Sequence, residues 1–252
     1  MLSPVDALIG VAVTVVLAVV AVLGRALTPP AAGISAVFGS VIVVLAGFPY
    51  LGLLALFVLA SSLATHYGFE EKARRSMQEG QHGERGMSNV LAHIFLPTIL
   101  VLVATLLPIQ LPSTALSFLY ASAIAFGASD TLASELGILS GHARSILTGR
   151  PVPPGTNGGV SPRGEAFALV GSVTTAIVGW ALFVAFSTPT VSVGLFVGGV
   201  AAAGFVGCQI DSVLGEALEN RRLLTKGSTN FAGMGSAILI GIAILILAGA
   251  IL

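Results

Sequence analysis

Eight apolar stretches, each close to the length of a membrane-spanning helix, recur along the chain with short polar segments between them. About 20 apolar residues cross the hydrocarbon core as a helix, and inside lipid each backbone polar group must be satisfied within its own segment. The stretches cover roughly 5–24, 31–48, 50–67, 88–107, 115–139, 166–186, 190–218 and 233–252. Composition agrees. The chain is 55% hydrophobic and only 9% charged, whereas a soluble domain carries about 25% charged residues. The reading is an all-α, polytopic transmembrane helical bundle of about eight spans, one integral membrane domain over residues 1–252. Net charge is zero, which gives no reason to expect nucleic acid; the partner that composition demands is the lipid bilayer. The segment Met1-Leu-Ser-Pro-Val-Asp6 lacks the basic start of a signal peptide, so the first stretch reads as a retained helix. The one cysteine, Cys208, excludes an internal disulfide and a cysteine-rich metal site.

The basic residues set the topology. Arg25 follows span 1; Lys72, Arg74, Arg75 and Arg85 follow span 3; Arg144, Arg150 and Arg163 follow span 5; Arg221, Arg222 and Lys226 follow span 7. All of them therefore lie in odd-numbered loops. The short turns at Gly47-Phe48-Pro49-Tyr50, at Leu107–Pro112 and at Ser187-Thr188-Pro189 have none. By the positive-inside rule the odd loops (about 68–87, 140–165 and 219–232 are the long ones) are cytoplasmic, and both termini are outside a cell membrane.

Four acids fall inside the predicted helices. They are Asp130, Glu135, Asp211 and Glu216. A carboxylate at a helix centre costs on the order of 2.5–3.5 kcal/mol to insert, so an embedded acid is a functional hypothesis by default. The structural alternative is that they sit near helix ends and pair with loop arginines. Asp130-Thr-Leu-Ala-Ser-Glu135 and Asp211-Ser-Val-Leu-Gly-Glu216 share one pattern, and loops with Thr156-Asn157 and Thr229-Asn230 follow them. This reads as an internal repeat, spans 5–6 and 7–8 forming two parallel halves. Transporters and membrane enzymes both build sites at repeat interfaces, so a cation-coupled transporter stays open. Asp130 and Glu135 are about 140° apart at 100° per residue; they cannot hold one ion unless the helix unwinds, which the nearby glycines would permit. Asp130 and Asp211 are the expected magnesium ligands, with Glu135 as a third candidate, because Mg²⁺ takes one or two carboxylates plus phosphate oxygens and water.

The loop Pro153-Pro-Gly155-Thr156-Asn157-Gly158-Gly159-Val-Ser161-Pro-Arg163-Gly164 is the most distinctive segment. Glycines let backbone N–H groups approach an anion, and such loops cradle phosphates. Thr156, Asn157 and Ser161 would add hydrogen bonds, and Arg163 a charged fork. No Gly-Lys-Ser/Thr is present, so this is not a P-loop; the bland alternative is a flexible connector. Lys72 opens the basic cluster, a solvated face or a nucleotide contact, and Asn230 repeats the role of Asn157. His66 and His93 read as packing residues. Gly194 and Gly198 read as a helix-packing pair.

These motifs carry a resemblance. Ala128-Ser-Asp130-Thr-Leu-Ala-Ser-Glu135-Leu-Gly137, then Pro154-Gly-Thr-Asn-Gly-Gly-Val-Ser161, then Gly207-Cys-Gln-Ile-Asp211-Ser-Val-Leu-Gly215, resemble the membrane family of phytyl-phosphate kinase and its relatives, over roughly residues 25 to 235. The Asp130, Ala133, Gly137 spacing is also similar to the signature of membrane dolichol and phytol kinases and of phosphatidate cytidylyltransferases. Where the family carries Gln-x-x-Ala-Asn, this chain has Asn89-Val-Leu-Ala-His93. The resemblance implies transfer of a γ-phosphoryl group from CTP to an isoprenyl monophosphate of phytyl or geranylgeranyl type, with Mg²⁺, at the cytoplasmic face. Asp130, Asp211, Glu135 and Arg163 would then be catalytic. The 155–161 loop, Lys72 and Asn230 would hold the nucleotide. A CTP-using cytidylyltransferase is the enzymatic alternative.

Overall fold

The computed structural model describes residues 2–107 and 111–251. Its helices are α1 (Pro4–Leu23), α2 (Pro29–Ala46), α3 (Phe48–His66), the short α4 (Phe69–Arg74), α5 (Met87–Leu106), α6 (Ser113–Gly137), α7 (Pro162–Ala185), α8 (Val193–Leu214) and α9 (Lys226–Leu247). All except α4 are long and apolar enough to cross a membrane, which gives eight spans. The chain is an all-α polytopic bundle. Proline stands in the first turn of α1, α2, α3 and α7, where its missing N–H would have had no helical acceptor.

Two connections differ from the sequence reading. Helix α9 starts at Lys226 rather than near 233, because Thr225 and Ser228 form a reciprocal capping box that hydropathy does not register. Asn230 is therefore helical, not in a loop. The 140–165 loop folds into a small antiparallel sheet of β1 (Ala143–Ser145), β2 (Pro151–Val152) and β3 (Gly159–Val160), in the order β2-β1-β3. The expected turn over Leu107–Pro112 falls largely on 108–110, outside the described residues.

Helix α6 is the hub. Every residue from Ala115 to Ser129 is buried, and α3, α5, α7, α8 and α9 all pack on it. Close approach comes from glycines on its neighbours. A Cβ at Gly171 would lie 2.8 Å from the carbonyl oxygen of Ala128, and one at Gly204 would lie 2.7 Å from the Ala125 Cβ. In lipid, where helices gain little from hydrophobic association, this contact is what packs them. Gly194 and Gly198, expected to pack, face open space; the outer part of α8 instead packs through Gly199. An aromatic cluster fills the core near one end: Tyr50 stands edge-on to Tyr120 and tilts against Phe183, and the Tyr120 hydroxyl donates to the Tyr50 carbonyl at 3.0 Å.

The four charged connections meet at the other end. Thr28 N donates to Arg85 O, joining the loops after α1 and α3. Lys72 pairs with Glu135 on α6. Ser145, on β1, donates to Glu216 after α8. The bundle thus has one polar, basic end, and the candidate site lies there.

Candidate functional site

A cavity of about 360 Å³ opens at the basic end, walled by α6, α7, α8, α9 and the glycine-rich loop. Asp130 and Asp211 both line it, from the two halves of the sequence repeat. Asp130 is continuous with the regular α6, whose turns hold through Gly137. Beyond Asp211 the helix changes: Gly215–Glu219 form a five-residue π turn. The expected local unwinding therefore occurs in α8, not α6. π turns widen a helix and recur at functional sites. Here the widened turn brings Glu219 to the cavity, where Thr229 Oγ1 donates to its carboxylate at 3.1 Å.

Asp211 Oδ1 is buried and has no hydrogen-bond donor among the described residues. An unpartnered buried carboxylate oxygen is costly, and a bound cation is the ordinary remedy. No group of three or more His, Cys, Asp or Glu forms a metal cage among the described residues. Two acids at one cavity suit a hard cation that completes its shell from phosphate and water, as Mg²⁺ does.

Glu135 is corrected as a metal ligand. It borders the cavity, but its carboxylate is turned away from Asp130. Oε2 takes Lys72 Nζ at 2.7 Å, and Oε1 takes Thr65 Oγ1 at 3.1 Å and Arg85 at 3.4 Å. The roughly 140° separation on an intact helix is the reason. Lys72 is corrected with it. Far from being solvated or free for a nucleotide, it is fully buried, and Ala64 O, Thr65 O and Glu135 take its three donors.

The glycine-rich loop is docked rather than flexible. Gly158 has φ +76°, and a Cβ there would lie 2.3 Å from that of Glu216, so only glycine lets the loop close onto α8. Asn220 Nδ2 donates to Asn157 O at 3.2 Å. Gly155, Thr156, Asn157, Gly158, Gly159 and Ser161 all line the cavity, as does Asn230 from α9. Two of the expected hydroxyl donors have other work. Thr156 donates to Pro153 O, and Ser161 donates to Gly137 O at 3.4 Å while accepting from Gly164 N to cap α7. Beside them, Asn157 and Asn230 bring side-chain amides to the cavity lining.

Arg163 does not line the cavity. Its guanidinium lies over the Phe167 ring at 5.8 Å, because residues four apart on α7 share a face. Lys226 takes the place expected for Arg163, as the one basic residue among those lining the cavity. In the sequence it read only as a topology marker. His93 was also missed: Nε2 lies 3.8 Å from Asp130 Oδ2. Its spacing from Asn89, one helical turn, was the available signal; Asn89 O receives His93 Nδ1 at 2.9 Å.

Eight spans, four of them walling an acid-lined cavity at one polar end, define a polytopic membrane protein. The chain belongs to the family described as integral membrane protein DUF92, whose model matches residues 12–245. It is 33% identical to Protein PGR of Arabidopsis thaliana over 69% of this chain and 66% of that protein. It is 31% identical to an uncharacterised membrane protein of Methanocaldococcus jannaschii over 78% of this chain and 76% of that protein. A third relative, from Synechocystis, is 29% identical over 86% of this chain and 83% of its own length. No solved structure matches.

Proposed function

We propose that the chain transfers the γ-phosphoryl group of a nucleotide to an isoprenyl monophosphate, giving the diphosphate, at the cytoplasmic face of a cell membrane. The observation that carries this is the Asp130–Asp211 pair, with one buried carboxylate oxygen unpartnered, opposite a glycine loop and Lys226 in a single cavity. That is an arrangement for a cation-bound polyphosphate. The resemblance of the three motifs supplies CTP as donor and a phytyl or geranylgeranyl chain on the acceptor.

Asp130 and Asp211 would hold Mg²⁺, which when bound neutralises charge on the transferring phosphates. The loop N–H groups and Lys226 orient the donor. An ionised oxygen of the acceptor phosphate forms the new P–O bond to the γ-phosphorus. The bond from that phosphorus to the β,γ-bridging oxygen breaks, and CDP leaves with the electron pair. No proton is removed from the acceptor, so no strong general base is needed; positioning and charge neutralisation carry the rate.

The test uses purified protein in nanodiscs with CTP, Mg²⁺ and geranylgeranyl or phytyl monophosphate. Formation of diphosphate and CDP is expected. Release of pyrophosphate would instead indicate cytidylyl transfer. No product across several chain lengths and nucleotides overturns the reading.

A further inference from the structure

Phosphate chemistry accounts for only one end of the large cavity. Asp130 and Ile138 both line it, from the last turns at the polar end of α6. They are eight residues apart in the chain, about 12 Å at roughly 1.5 Å of rise per residue. That exceeds a single phosphate and is close to the reach of a nucleoside triphosphate from its last phosphorus to its base. The volume of about 360 Å³ falls within the ordinary small-ligand range of roughly 300–1,000 Å³.

The Ile138 end has a different lining. Met77, Ile138 and Pro154 give it an apolar wall, and Glu79 adds one carboxylate. A Cβ at Gly155 would lie 3.3 Å from Ile138 Cδ1 and 3.6 Å from Met77 Sδ, so both side chains meet the loop at one point. Glu79 makes no ion pair among the described residues. An apolar wall with a few placed polar groups is what orients a small ligand, and thioether sulfur packs favourably on aromatic rings.

This wall is held in place. Helix α4 ends in a Schellman turn: Met77 N donates to Lys72 O and Ser76 N to Ala73 O, with Ser76 left-handed at φ 55°. Glycine is the usual residue at that position, and a serine there is strained. Lys72, whose carbonyl anchors Met77, is itself tied to Glu135 at 2.7 Å. Arg75 donates to Ile138 O at 3.4 Å. The first charged loop and the end of α6 are thereby knitted into one surface.

We infer that this end seats the nucleobase, flat against Met77 and Ile138, with an exocyclic amine of the base donating to Glu79. The inference rests on the nucleotide reading above and deepens it. The ligand class is a nucleoside triphosphate whose base carries an amine, cytosine under that reading.

The experiment measures binding without an acceptor. Protein in nanodiscs with Mg²⁺ is titrated with CTP, with pyrimidin-2-one riboside triphosphate (CTP without its amine) and with inorganic tripolyphosphate. CTP should bind about tenfold tighter than the amine-free analogue, the effect of one hydrogen bond to a charged group. Glu79→Ala should bring CTP down to the level of the analogue, with the analogue and tripolyphosphate bound no more weakly than before. A residue that only supported the fold would weaken all three. Glu79→Gln should keep part of the preference, since its carbonyl still accepts. Met77→Ala should weaken CTP and the analogue alike and spare tripolyphosphate. Equal binding of CTP and the analogue by the wild type overturns the inference, as does an undiminished preference in Glu79→Ala. The two readings fail separately. An amine preference that disappears with Glu79, but no diphosphate formed once isoprenyl monophosphate is added, sinks only the transfer reading. Diphosphate formed with the same KM from CTP and from the analogue sinks only this one.

Discussion

Charged residues at the polar end divide into two groups with opposite energetics. Glu135 pairs with both Lys72 and Arg85 inside the protein. Removing one partner of a buried ion pair leaves the other uncompensated and costs about 3–5 kcal/mol. Glu135→Gln should therefore lower the thermal midpoint sharply, read by scanning fluorimetry in detergent. Asp211 is the reverse. Its buried oxygen has no donor, so Asp211→Asn should leave the midpoint unchanged or higher, the usual exchange of stability for function at a strained site. The same substitution, and Asp130→Asn, should each lower turnover by on the order of 10²–10³, the effect of losing one electrostatic stabiliser. Chelation of divalent metal should abolish turnover in the wild type. Equal destabilisation by Glu135→Gln and Asp211→Asn would contradict this division. The acids were legible in the sequence because embedded carboxylates are rare. Their split was only half legible, since helical spacing separates Asp130 from Glu135 but does not name the cations waiting for Glu135.

At the scale of elements, glycine does two different jobs. On α7 and α8 it lets helices touch α6. Gly204→Val would drive a branched side chain into the Ala125 backbone, already 2.8 Å from a bare Cβ, and the bundle should be destabilised by about 1–3 kcal/mol or more, as overpacking typically is. In the loop, Gly158→Val combines positive φ with a collision at Glu216. Because that loop is local, the expected result is a rise in nucleotide KM and faster proteolysis between 146 and 160, with the thermal midpoint little changed. A fall in midpoint equal to that of Gly204→Val would mean the loop is part of the core instead. Spans were readable because hydropathy reports burial in lipid directly. The start of α9 was not, because Thr225 and Ser228 cap it through hydrogen bonds that no hydropathy window contains. The small sheet in the 140–165 loop was hidden for a related reason: strands of two or three residues have no periodicity to read.

For the whole molecule, the gathering of four basic connections at one end makes orientation testable. In a Cys208→Ser background, cysteines at Thr148 and Leu223 should react with an impermeant maleimide only from the cytoplasmic side, and one at Ser187 only from outside. The opposite pattern would invert the topology and move the site to the other face. The number of spans, the one-sided basic charge and the identity of the acid pair follow from the chain alone, because each is a property of composition along one dimension. Which cations those acids meet does not. Lys72 and Arg85 reach Glu135 from 63 and 50 residues away, Lys226 rather than Arg163 faces the cavity, and His93 Nε2 comes within 3.8 Å of Asp130. Those pairings depend on how helices distant in sequence rotate and pack around α6, and only the assembled bundle supplies that information.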